Sequence, residues 1–172
     1  MRFLIIVLFA MLAATLPQRS VAEPTPAESV QLIAEITPLQ QLNAEMDTLL
    51  ARLAEGSASF DIAFLGQITM DQATEAAIQS LDGARAQVDG FADRLKDAKL
   101  TPIRDEAFNE TVQSVLGFIK GKPAFLLGMI EDMERQVAAA QAGDMATVEE
   151  VSIKMGANAV VLIDNETLTM RL

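Results

Sequence analysis

Apolar residues recur at alternating intervals of three and four positions through most of the chain after residue 25. This spacing places them on one face of an α-helix and leaves the opposite face polar. The apolar stripes are Leu39, Leu42, Met46, Leu49 and Leu53; Ala77, Leu81, Ala84, Val88, Phe91, Leu95 and Ala98; Phe108, Val112, Val115 and Ile119; Leu126, Ile130, Met133, Val137 and Ala140; and Val148, Val151, Met155, Ala159 and Leu162. Helices that each carry one such stripe bury it against their neighbours. The pattern therefore predicts an all-α protein, an antiparallel four-helix bundle.

Several helix starts are marked by a Thr that has Glu or Gln three positions later, so that both side chains can cap the helix. Three segments have this spacing, and they begin at Thr25, Thr37 and Thr69. Pro26 and Pro38 fall at the first helical position, where the missing N–H costs nothing. Further helix boundaries are predicted at Gly56, at Thr101, and at Gly143 followed by Asp144.

The path of the third helix is ambiguous around Pro123. Proline cannot continue the hydrogen-bond ladder, and Lys122 before it is biased away from helical angles. Residues 101–142 therefore form either one kinked helix or two helices joined by a tight turn. We expect a four-helix bundle whose third helix is broken near Pro123, with five helices as the alternative.

Residues 57–68 form an unusual connection, because their sequence SASFDIAFLGQI is too apolar for an ordinary solvated loop. One interpretation is a short helix that Ser59 caps, that Gly66 closes, and that covers one end of the core. The functional interpretation is a partner-docking patch, because exposed apolar patches of this size usually mark contacts. The patch would consist of Phe60, Ile62, Phe64 and Leu65.

Residues 1–22 have the pattern of an export signal. Arg2 is followed by an apolar run over residues 3–16, and Ser20 and Ala22 place small residues before a cleavage point. The run of 14 residues is short for a membrane span, which needs about 20. The sequence thus predicts a signal peptide and a single helical-bundle domain over residues 23–172. An uncleaved anchor is the alternative.

The residue types that the chain lacks exclude several kinds of chemistry. The sequence contains no Cys, His, Trp or Tyr. It therefore has no disulfide, no thiolate ligand and no Ser-His-Asp triad, and it lacks the aromatic side chains that usually stack on sugars or single-stranded nucleic acid. We predict a non-enzymatic protein with no catalytic residue, cofactor or metal. A cysteine-free exported helical domain is typical of a bacterial periplasm, and secretion is the alternative location.

The charge of the chain bears on its partners. Removing the leader, with Arg2 and Arg19, changes the net charge from −11 to −13, because all 24 acidic residues follow it. So acidic a surface repels phosphate backbones and anionic lipid, which argues against nucleic acid as a partner. We expect a protein partner with a basic surface, or self-association. We expect no stable membrane span after cleavage.

A few residue groups are candidates for chemistry. Four carboxylates share one predicted helix face, and they are interpreted as a solvated charge stripe: Asp82, Asp89, Asp93 and Asp97. Four methionines could bring thioether sulfurs together as Cu(I) ligands, but flexible core filling is the preferred interpretation: Met46, Met129, Met133 and Met155. We expect four glycines to let a neighbouring backbone approach closely: Gly83, Gly90, Gly117 and Gly121. We expect Asn158 to set the register of the last helix.

Two of the Thr segments also resemble a family motif. Residues 36–40, ITPLQ, and residues 68–72, ITMDQ, are similar to the Leu-Thr-x-x-Gln motif of periplasmic helical chaperones and stress sensors of the Spy and CpxP type. Residues 100–104, LTPIR, are a partial third copy. The resemblance implies a dimeric cradle that holds unfolded clients on a partly apolar surface.

Three functional hypotheses follow. The first is an exported, non-enzymatic helical bundle with a binding or adaptor role. The second is the chaperone or envelope-stress sensor that the resemblance implies. The third is a carboxylate-based enzyme, for which the cluster at Glu131 and Glu134 is the candidate.

Overall fold

The computed structural model describes residues 25–103 and 106–169, without the side chains of residues 107 and 158–169. Within these ranges the regular secondary structure is entirely helical: α1 (Pro26–Phe64), α2 (Met70–Leu81), α3 (Ala84–Lys96), α4 (Glu106–Ala142) and α5 (Met145–Thr169). The predicted leader, residues 1–22, lies outside the described residues.

The five helices form four arms, because α2 and α3 follow one another along the same arm. Successive arms run antiparallel. Glu45 in the middle of α1 pairs with Arg94 of α3, whereas Ser59 near the end of α1 donates a hydrogen bond to the carbonyl of Ala73 on α2. Arg85 of α3 pairs with Glu134 of α4. The all-α four-helix bundle predicted from the apolar stripes is therefore confirmed.

The core is continuous along the bundle and consists largely of the predicted stripes. In the third stripe, however, Phe108, Val112 and Val115 are only partly buried. The first stripe is buried in full, and the side chains with the least exposure include Met46, Leu53, Phe60, Leu126 and Met133. They belong to α1 and α4, which run parallel across the bundle and contact each other through its centre. Burial of these faces supplies most of the driving force for assembly.

Two of the predicted Thr caps are confirmed. Thr25 and Thr69 each accept a hydrogen bond from the backbone N–H three positions on, and Glu28 and Gln72 bond back to the capping residue. Asp144 accepts from the backbone N–H of Thr147 at the start of α5, as predicted. These ends are fixed by local chemistry that is readable in the sequence.

The boundary predicted at Thr37 is wrong, because α1 runs through both Thr37 and Pro38. The Thr37 hydroxyl donates to the carbonyl of Ile33 instead of capping a new helix. Leu32 and Leu39 lie on either side and are both buried. Packing of that continuous apolar face outweighs the local cost of a proline inside the helix.

The end predicted at Gly56 is also wrong, and the separate short helix over residues 57–68 does not form. Helix α1 continues to Phe64. Gly56 lies inside the helix, and because it has no side chain, α1 packs closely against α2 and α4 at this position. An added Cβ would lie 2.5 Å from Oγ of Ser80. The turn after α1 uses Gly66 at φ 72°, which agrees with the predicted closure there.

The predicted break near Pro123 is not found, since α4 spans Glu106–Ala142 without interruption. Ile119 and Leu126 are buried on either side of Pro123, so core packing keeps the helix continuous across the proline. The break lies in the second arm instead, at Asp82 and Gly83. Gly83 has φ 66°, a backbone conformation that favours glycine.

The predicted helix start at Thr101 is displaced to Glu106. The backbone N–H and the hydroxyl of Thr101 both donate to the carboxylate of Glu35. Asn109 accepts from the N–H of Ile103 and donates to its carbonyl. Contacts to α1 and α4 thus fix the segment as a connection between arms.

Candidate functional site

The segment predicted as a docking patch lies where α1 ends and turns toward α2. Ile62, Phe64 and Leu65 are 40%, 45% and 72% exposed, and we call these three residues the apolar corner. Phe60 is fully buried, so its inclusion in the predicted patch is wrong. Phe60 lies four residues after Gly56 and continues the buried face of α1, whereas the other three residues lie off that face.

The backbone under the apolar corner is well bonded. The N–H groups of Leu65, Gly66 and Gln67 donate to the carbonyls of Asp61, Ala63 and Ile62, respectively. The Thr69 cap then starts α2. Because these bonds close the turn, the apolar side chains are presented to solvent on a defined backbone rather than on a long loop.

The chain around the apolar corner carries charge of one sign. No Lys or Arg occurs between Arg52 and Arg85. The same interval contains five exposed carboxylates: Glu55, Asp61, Asp71, Glu75 and Asp82. Asp61 precedes Ile62 directly, and Asp71 lies in the first turn of α2. The segments of chain on either side of the apolar corner therefore carry only acidic charge.

Sequence reasoning missed an ion pair between α4 and α1 in which the lysine is buried and the carboxylate is partly exposed. The side chain of Lys122 is only 3% exposed, and its Nζ donates to Asp47 at 2.5 Å and to Asn43 at 2.9 Å. Nζ also lies 5.4 Å from the centroid of the Phe118 ring. A buried lysine needs such partners to stay charged. The local signal was weak: Lys122 is one of two lysines, with Lys120, in an otherwise largely apolar stretch of sequence.

A second buried polar group joins three helices. Gln136 of α4 is fully buried; it accepts from the hydroxyl of Ser57 on α1 and donates to the hydroxyl of Ser152 on α5. This network has the register-setting role that the sequence assigned to Asn158, whose side chain lies outside the described residues. A buried amide with partners on two other helices favours one alignment of the arms.

The remaining sequence candidates lie apart from the apolar corner. All four methionines proposed as core filler or Cu(I) ligands are buried, with exposures of 0% to 3%. The prediction that the acidic stripe shares one helix face is wrong: Asp89 and Asp93 are exposed on α3, whereas Asp82 and Asp97 lie at the C-caps of α2 and α3. Glu134, from the separate carboxylate cluster, is bonded to Arg85. In the part of the chain that the structure describes, no group of three or more His, Cys, Asp or Glu is placed to hold a metal ion.

The glycine expectations are wrong in detail. A Cβ added to Gly83, Gly90, Gly117 or Gly121 would meet no neighbouring atom within 4 Å, so no backbone packs closely there. The close approach occurs at Gly56, which the sequence interpretation used as a helix end. The spacing of glycines in the sequence does not distinguish a closely packed glycine from an open one, because the same spacing occurs on packed and on open helix faces.

Exposed ion pairs cross between arms on the acidic surface. Arg85 with Glu134 and Arg94 with Glu45 are both two-point contacts. Hydrogen bonds from these guanidinium groups hold the pKa of Glu134 and of Glu45 below its usual range. Such exposed pairs orient neighbouring arms but contribute little to stability individually.

Comparisons with protein-family models, with curated proteins and with solved structures find no match to this chain. Among the described helices, none combines the length and the apolar character needed to cross a membrane.

Proposed function

We propose that this chain is an exported, non-enzymatic helical bundle that binds a protein with a basic surface, and that the apolar corner is its contact site. The observation that carries the proposal is the exposure of Ile62, Phe64 and Leu65 within a stretch of chain, between Arg52 and Arg85, whose charged residues are all acidic. Three neighbouring large apolar side chains in water favour a binding surface. The partner it fits has an apolar centre and Lys or Arg around it.

A photo-crosslinking side chain placed at position 65 tests this proposal in cells that produce the protein. Ile153 on α5 is the matched control, since it is 68% exposed against 72% for Leu65. We expect one discrete protein adduct from position 65 and none from position 153. The pair Asp61→Lys and Asp71→Lys should remove the adduct while leaving the melting temperature close to that of the wild type. Equal crosslinking from both positions, or an adduct that survives the charge reversal, contradicts the proposal.

Export to the periplasm, or secretion, is proposed from residues 1–22 alone. Mass spectrometry of the protein from the extracytoplasmic fraction should show a chain that begins at Glu23. A chain that retains residues 1–22, or one confined to the cytoplasm, contradicts this part of the proposal without affecting the apolar corner.

The other two hypotheses stay predictions. The two full copies of the Spy and CpxP-like motif have different roles, since Thr69 caps α2 whereas Thr37 lies inside α1. For a carboxylate-based enzyme, Glu134 is already bonded to Arg85. No described geometry favours either over a binding bundle.

A further inference from the structure

A cleft between α3 and α4 lies about halfway along the bundle, away from the apolar corner. Its volume is about 350 Å³, at the lower end of the range for small-molecule sites. It is lined by Ala92, Leu95, Lys96, Lys120, Pro123 and Ala124. Leu95 and Pro123 are buried and form its floor, whereas the two alanines and two lysines are exposed along its rim.

The two lysines of the cleft differ from most of the other basic residues that the structure describes. Neither Lys96 nor Lys120 makes an ion pair or hydrogen bond with any residue that the structure describes. Five other basic residues are each bonded to a carboxylate: Arg85, Arg94, Lys122, Arg135 and Lys154. In a chain with 24 acidic and 13 basic residues, unpaired cations on both sides of one cleft are unexpected.

The charge around the cleft is locally reversed on α4. Residues 111–130 contain Lys120 and Lys122 and no acidic residue. On α3, Asp93 and Asp97 are near Lys96 in sequence, but neither makes an ion pair with it. The cleft thus has one lysine from each of its two helices, above the buried Leu95 and Pro123.

We propose that this cleft binds a small amphiphilic anion, a carboxylate with a short aliphatic body. The carboxylate accepts hydrogen bonds from the Lys96 and Lys120 ammonium groups, which have donors to spare. The aliphatic body lies on Leu95 and Pro123, where Ala92 and Ala124 leave room for it. This site is independent of the apolar corner, and neither proposal depends on the other.

Sodium octanoate is the probe, and chemical-shift changes of backbone amides in the full-length protein are the measurement. We expect saturable changes centred on residues 92–96 and 120–124. Acetate lacks the body and octanol lacks the charge, so each should cause smaller changes there. Binding should weaken as salt is raised, because the lysines are exposed.

Two variants separate charge from shape. Lys96→Gln with Lys120→Gln should weaken octanoate binding about tenfold, since two exposed charge contacts are lost. Ala124→Leu keeps both charges but fills the cleft, and it should also weaken binding. Lys154→Gln removes a lysine from α5 and should leave binding unchanged. The proposal is overturned by no saturable change at the cleft, by changes confined to the apolar corner, or by equal binding in the double variant.

Discussion

Single atoms decide how closely the helices approach each other. At Gly56, an added Cβ would lie 2.4 Å from Cε of Met133 and 2.6 Å from Cβ of Ser80. The Met133 side chain can move, but Ser80 Cβ is fixed to the backbone of α2. This glycine is therefore required by packing, although it is unfavourable inside a helix.

We predict that Gly56→Ala destabilises the protein by about 1–3 kcal/mol, because overpacking exceeds the gain in helix propensity. Gly90→Ala is the control, since Gly90 lies inside α3 with nothing within 4 Å. That change should stabilise the protein by up to about 1 kcal/mol. Urea denaturation of both variants provides the measurement. Opposite signs support the interpretation, and two stabilising alanines contradict it.

The ion pair of Lys122 gives a second prediction at this scale. Asp47→Ala should cost about 2 kcal/mol, because it removes a carboxylate that bonds the buried ammonium group. Lys122→Met should cost less than about 1 kcal/mol, because Asp47 is 39% exposed and water can solvate its carboxylate. Equilibrium unfolding of both variants tests the asymmetry. Equal losses of stability in the two variants would show that the buried charge of Lys122 does not determine the cost of breaking the ion pair.

Pairs of elements are aligned by polar groups as well as by apolar stripes. Gln136 contacts Ser57 on α1 and both Val148 and Ser152 on α5, and it is fully buried. One side chain thus connects three of the four arms. The partners are satisfied only when the three helices keep one register.

We predict that Gln136→Ala destabilises the bundle by about 2–3 kcal/mol, because it leaves a cavity and removes the hydrogen-bond partner of two buried hydroxyl groups. Gln141→Ala, on the exposed end of α4, is the control and should change little. Thermal melting compares the two. Equal melting temperatures for the Gln136→Ala and Gln141→Ala variants would show that Gln136 does not fix the register of the helices.

Much of the element structure could be predicted from sequence. The stripes identify the buried faces, and the caps at Thr25 and Thr69 identify two helix starts, since both signals are local. The breaks at Thr37, Gly56 and Pro123 were wrong because core packing keeps α1 and α4 continuous across weak local sequences. The cleft and the hydrogen bonds of Lys122 and Gln136 join residues that are far apart in the sequence, by 79 positions for Lys122 with Asn43 and for Gln136 with Ser57. Only the folded bundle brings such residues together, and no local pattern marks them.

At the scale of the whole molecule, carboxylate contacts make stability depend on pH. Bonds from the Thr101 N–H and hydroxyl hold the pKa of Glu35 below its ordinary value, and Thr147 does the same for Asp144. Glu45 and Glu134 are lowered by arginines. The unfolded chain therefore binds protons at a higher pH than the folded protein does.

We predict that the melting temperature is insensitive to these groups near neutral pH and falls as pH drops below about 4.5, because the carboxylates are then protonated and their stabilising contacts are lost. Melting curves between about pH 6 and about pH 3 provide the measurement. Glu35→Gln should be less stable at neutral pH and should lose less on acidification. A melting temperature that rises on acidification would contradict the assignment.

The short second helix has a consequence for motion. Only Ala73 and Ala77 are buried among the 12 residues of α2, so this helix buries few large apolar side chains. A break at Gly83 separates it from α3, and isolated helices of this length are marginal in water. We therefore expect the amide hydrogens of α2 to exchange with deuterium before those of α1 and α4. Sub-global opening of this kind would let the turn at Ile62, Phe64 and Leu65 adapt its shape while the rest of the bundle stays closed.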